Sequence, residues 1–164
     1  MPNPSFSLSP EQRPFMTAAI DLSRLSLQRG GGPFGAVVVR QGEIISQAHN
    51  EVTLSNDPTA HAEVVAIRRA CAALQYFQLR GCELYTSCEP CPMCLGAIYW
   101  SRLDRVYYAN SQRDAARVGF DDQFIYDEID KAAIDRRIPM IATPDPAALQ
   151  VFQDWQTLTA KTEY

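Results

Sequence analysis

The sequence has no apolar run of about 18 residues or more, so no helix is expected to span a bilayer. Its start, MPNPSFSLSPEQRP, lacks a basic stretch followed by an apolar one, which argues against a secretory signal. A cytoplasmic protein with no membrane partner is expected. Basic residues are outnumbered: 15 Lys and Arg stand against 19 Asp and Glu, for a net charge of −4. A nucleic-acid binder needs a basic face to neutralise phosphates, so no nucleic-acid partner is expected either. Internal repeats and low-complexity tracts are also missing. Cysteine is sparse, and five is an odd number for a disulfide framework.

What is present is ordinary globular material. At 46% hydrophobic and 21% charged, the 164 residues suffice for one domain with a full core. Ser9 to Arg29 reads as a helix, with Ser9 and Gln12 spaced as a capping box and Pro10 at the first helical position. Phe15, Ala18, Ala19, Leu22 and Leu25 give it one apolar face. The following Gly30-Gly31-Gly32-Pro33-Phe34-Gly35 matches GxGxxG formally. A dinucleotide loop needs a strand before it and a helix after it, whereas here a helix precedes and strand-like Ala36–Val39 follows. A tight helix-to-strand turn is the expected role.

Gln41-Gly42 turns that strand into a second, Glu43–Asn50. Asp57-Pro58 is placed to open a helix running to about Leu74. Glu83–Ser87 and Arg105–Ala109 read as strands flanking an apolar helix, Cys91–Trp100. Strands alternating with helices after a hairpin predict α/β layering around one mixed sheet. Beyond Asn110 the pattern weakens. Asp114–Gly119 and Gln123–Ile129 suit short helices, Ile138–Pro146 is punctuated by proline, and Pro146–Ala160 is amphipathic through Val151, Phe152, Trp155 and Leu158. Residues 1–138 are expected to form the core, and residues 139–164 a linker, helix and tail.

Three cysteines, Cys88, Cys91 and Cys94, fall within seven residues. Zinc takes imidazole and thiolate donors; structural sites use four protein ligands, and catalytic sites use three and keep one position open. Cys91 and Cys94, three apart at a helix start, turn both sulfurs the same way and feel the helix dipole, which favours thiolate. His61 would bring a third donor from another element. Glu63, two residues on, would exchange protons with a water at the same centre. A four-ligand structural zinc including Cys88 is the alternative, and would make the chain a zinc-stapled interaction module. Iron–sulfur ligation lacks a further cysteine at ferredoxin spacing. Cys71 and Cys82 read as small buried hydrophobes.

His61-Ala62-Glu63 followed 30 residues later by Pro90-Cys91-Pro92-Met93-Cys94 matches the H-x-E … P-C-x-x-C signature of zinc deaminases. The chain therefore resembles the cytidine-deaminase superfamily. Within it, the chain is similar to the bacterial guanine deaminases, through GGPFGAVVV (31–39), NDPTAHAEVVAIRRAC (56–71), LYTSCEPCPMCLGAIYW (84–100), GFDDQFIYDEI (119–129) and the terminal tyrosine. The resemblance implies a three-layer α/β/α fold around a mixed five-stranded sheet. It implies one zinc ion on His61, Cys91 and Cys94, and Glu63 as proton shuttle in hydrolysis of guanine to xanthine and ammonia. It also implies a homodimer that exchanges its C-terminal segments, so that Tyr164 closes a partner's site. By position, Asn50 would bond the purine ring, Phe34 and Trp100 would line the pocket, and Asp122, or its neighbour Asp121, would meet the guanine N–H face. Guanosine, tRNA adenosine, cytosine and aminotriazines are the alternative substrates.

Overall fold

A computed structural model of the chain describes residues 7–164. The chain divides into two compact units, Met1–Asp122 and Gln123–Tyr164. The first is built on four strands: β1 (Gly35–Arg40), β2 (Glu43–His49), β3 (Cys82–Cys88) and β4 (Arg105–Asn110), in the order β2-β1-β3-β4. β1 runs antiparallel to β2 and β3, and β3 runs parallel to β4. Gln41 and Gly42, with φ of 53° and 80°, supply the two left-handed residues that a tight hairpin turn requires.

Helix α1 (Arg13–Gln28) covers one face of the sheet, its Met16 and Ala19 meeting Val37, Val39 and Tyr85. The alternate strand residues Ala36, Val38 and Leu84 face the other way. They pack with Ala62, Val65 and Ala66 of α3 (Ala62–Leu74) and Ile98 of α4 (Pro92–Trp100). A sheet covered on both faces explains why β1 reads as an unbroken apolar run. The expected layering is present, but the described residues pair four strands rather than five. β4 is the last of them, because the Ser111 and Asp114 capping box turns the chain straight into α-helix at Gln112 and no further strand follows among the described residues.

Two helix starts differ from expectation. α1 begins at Arg13 rather than Ser9, because only half of the capping box forms. The Ser9 N–H donates to Gln12 Oε1 at 3.0 Å, while the Ser9 hydroxyl donates to Glu11. The helix expected from Asp57 begins at Ala62. Asp57 instead accepts from the Thr59 N–H and hydroxyl at 2.8 and 2.7 Å, which closes a turn before the helix. A one-turn helix, α2 (Val52–Ser55), precedes it.

The glycine loop is the turn that was expected. Gly30 takes φ +80°, and Gly30 and Gly31 donate to Leu27 O and Ser26 O at 3.1 and 2.8 Å, the pattern of a left-handed helix end. A Cβ on Gly35 would lie 2.3 Å from Ala19 O and 2.6 Å from Ser23 N, both rigid α1 backbone. Gly35→Ala must therefore push α1 off β1. We expect a loss of about 3 kcal/mol, read as a Tm lowered by roughly 10 °C. An unchanged Tm would show that the two elements can part freely.

Within the first unit the chain continues from β4 into α5 (Gln112–Arg117), capped by Ser111 and Asp114 in a reciprocal box. The second unit holds α6 (Gln123–Ile129), a 3-10 turn at Ala133–Asp135 and α7 (Pro146–Thr157), the last capped by the Asp145 side chain. Val151, Phe152 and Trp155 of α7, and Leu158 beyond it, are exposed. No helix among the described residues is long and apolar enough to cross a membrane.

Candidate active site

His61 is the N-cap of α3 and Cys91 the N-cap of α4. Both residues have extended backbone and stand just outside their helices, so two positive helix ends meet around the side chains. Cys94 lies in the first turn of α4 and is buried. His61 Nδ1 is 3.5 Å from the sulfur of Cys91 and 3.5 Å from that of Cys94. A tetrahedral zinc with bonds of about 2.0 Å to nitrogen and about 2.3 Å to sulfur separates such donors by roughly 3.5 Å. The donor set is thus already at the spacing one zinc ion needs.

Electrostatics point the same way. Hydrogen bonds from the Cys94 thiol and then from His61 outweigh burial and hold Cys91 down to about 4. The Cys94 thiol is pushed up strongly by that neighbour, by burial and by Glu63. Hydrogen bonding to Cys91 raises His61. Without a cation one sulfur must keep its proton, whereas a divalent ion lets both ionise.

Glu63, in the first turn of α3, is only 5% exposed, and desolvation raises its carboxyl above the usual range. The charge of Cys91 raises it further and that of His61 lowers it. Cys88 takes no part in the donor group. Its buried thiol donates to Ser111 O at 3.7 Å, and burial pushes it up to about 11. Among the described residues the group contains three donors, so a four-coordinate ion would keep one position for a non-protein ligand.

The other expected site residues are spread more widely. Asn50 is buried at the end of β2, and its Oδ1 accepts from the Val52 N–H at 3.3 Å, opening α2. Phe34 is half-buried, edge-on to Phe120 with ring centroids 4.9 Å apart. Trp100 stands 62% exposed at the far end of α4, six residues and about 9 Å of helix rise beyond Cys94. Asp122 is half-buried and Asp121 exposed; Gln112 Nε2 donates to Asp122 Oδ1 at 2.6 Å. Tyr164 belongs to the second unit and is exposed. Sequence reasoning missed Glu89 and Gln112, which tie the cysteine loop to the Asp122 segment. The Glu89 carboxylate accepts from the Gln112 backbone N–H at 2.9 Å. The usable signal was Ser111-x-x-Asp114, a capping-box spacing that places Gln112 at a helix start.

Residues 9–110 match the cytidine and deoxycytidylate deaminase zinc-binding region. Guanine deaminase of Bacillus subtilis is 55% identical over 92% of this chain and 97% of its own length. An X-ray structure of guanine deaminase from Bacillus subtilis superposes with a TM-score of 0.90 at 54% identity, covering 93% of this chain and 98% of that one. A tRNA-specific adenosine deaminase of Aquifex aeolicus is 45% identical over 58% of this chain and 63% of its own length. By motif, donor geometry and likeness along its length, this chain belongs to the cytidine and deoxycytidylate deaminase zinc-binding family.

Proposed function

We propose that this chain is a cytoplasmic guanine deaminase, converting guanine and water into xanthine and ammonia. The observation that carries the reading is a three-donor group with a buried carboxyl, Glu63, beside it. His61, Cys91 and Cys94 would hold one zinc ion, which when bound supplies a hydroxide nucleophile near neutral pH. Glu63 takes the proton given up by the attacking water. It hands that proton to the purine ring nitrogen as the C–O bond forms, then takes the second proton from the hydroxyl now on the attacked carbon and passes it to the amine, which leaves as ammonia as the C–N bond breaks. Desolvation suits it to this, because a carboxyl raised by burial holds a proton more readily than an exposed one.

The remaining residues orient the base. The Asn50 amide and the Asp122 carboxylate bond its polar edges, and Phe34 and Trp100 offer apolar faces. Likeness to the Bacillus subtilis guanine deaminase covers 92% of the chain and so includes Asp122, whereas likeness to the Aquifex aeolicus tRNA deaminase covers 58%. The net charge of −4 also disfavours an RNA substrate. The exposed apolar residues of α7 support a homodimer in which the C-terminal segment is exchanged and Tyr164 closes the partner's site.

The test is ammonia release from guanine, guanosine, adenine, adenosine, cytosine, cytidine, aminotriazines and a tRNA anticodon stem-loop. Xanthine from guanine is the expected product. Preference for the stem-loop or for a nucleoside would overturn the substrate. A chain cut after Thr159 should keep its zinc and lose most turnover, and full activity in it would remove Tyr164 from the mechanism.

A further inference from the structure

Asp122 Oδ1 accepts a 2.6 Å hydrogen bond from Gln112 Nε2, and the described residues give that carboxylate no other hydrogen bond. Gln112 is fixed in turn, because its backbone N–H donates to Glu89 Oε2 at 2.9 Å. Glu89 sits between Cys88 and the ligand Cys91, and its own N–H donates to Asn110 O at 2.8 Å. Cys88 adds a bond to Ser111 O at 3.7 Å. The loop that supplies the metal donors is therefore tied at three points to residues 110–112, and from there by one side chain to Asp122.

We propose that Gln112 is a positioning residue for substrate recognition. It fixes one oxygen of Asp122, turns the other toward the guanine N–H face, and sets that oxygen's distance from the metal centre through Glu89. The proposal rests on the reading of Asp122 as the substrate-facing carboxylate. A donor on Oδ1 leaves Oδ2 as the acceptor for substrate. Without it the side chain rotates freely, and each binding event must order it. The chemistry at Glu63 is untouched, so the effect belongs in KM.

The experiment is steady-state kinetics on guanine with the zinc-loaded enzyme, for Gln112→Ala, Gln112→Glu, Asp122→Ala and the double variant Gln112→Ala with Asp122→Ala. Gln112→Ala should raise KM about tenfold, with kcat within about threefold and zinc content and Tm unchanged. Gln112→Glu sets a second carboxylate against Asp122 and should raise KM about a hundredfold. In the Asp122→Ala background the loss of Gln112 should add less than about twofold, because the two act as one unit. Additive losses in both backgrounds, or a fall in Tm that tracks the KM change, would make Gln112 merely structural and overturn the proposal. A silent Gln112→Ala beside an impaired Asp122→Ala would overturn the proposal alone. A silent Asp122→Ala would overturn the reading it rests on as well.

Discussion

Glu63→Gln should leave zinc bound to His61, Cys91 and Cys94 while lowering turnover by about a hundredfold to ten-thousandfold. The amide matches the carboxyl in shape and keeps its place in the buried turn, but it cannot accept and return a proton. The same change should stabilise the metal-free protein. Burial raises the Glu63 carboxyl, so the folded state holds its proton more tightly than the unfolded chain does. That contribution to stability is complete at low pH. It is lost as pH climbs from the ordinary carboxylate range through the raised value, because the unfolded chain ionises freely and the folded one is penalised. Calorimetry of metal-free wild type and Glu63→Gln should therefore give a gap in Tm that is smallest at acidic pH and widens as pH rises. Wild-type turnover in the variant would dismiss Glu63 as the proton shuttle. A gap that shrinks with rising pH would show that its carboxyl is not destabilised by burial.

The same residue marks the boundary of what sequence can say. His61-x-Glu63 and Cys91-x-x-Cys94 were legible because a metal dictates residue type and spacing, and both survive in a one-dimensional pattern. The burial of Glu63 was not, because it is set by where α3 meets the sheet, through Ala62 and Ala66 against Ala36 and Val38. The apolar run of β1 and the apolar face of α1 gave the layers directly. The starts of α1 and α3 misled because Ser9 and Asp57 carry capping chemistry yet close isolated turns, and local side-chain bonds do not reveal whether a helix follows at once. The five-strand count came from the family resemblance alone; the residues themselves read as four strands, and those four are the ones that pair. Gln112 went unnoticed for another reason. Its role lies in two bonds to residues 10 and 23 positions away, and no periodicity encodes such a pair.

Cys94→Ala and Cys88→Ala should separate sharply, although both replace a buried thiol in the same short stretch. Cys94 has its sulfur in the donor group, 3.5 Å from His61 Nδ1, whereas Cys88 is turned toward Ser111. Losing one of three protein donors should weaken zinc binding by more than about a hundredfold, and turnover should fall with occupancy. Losing Cys88 should leave one zinc per chain and lower stability modestly, by about 1–2 kcal/mol for a small buried side chain. Metal analysis after dialysis, with Tm measured before and after chelation, reads both effects. Zinc affinity in the wild type should rise with pH, since binding must take a proton from Cys94, the thiol that its hydrogen bond to the Cys91 thiolate and then burial hold protonated. If Cys88→Ala emptied the site as thoroughly as Cys94→Ala, the ion would have four protein ligands. No position would then remain for a reacting water, and Glu63 would be a buried carboxyl without a catalytic partner.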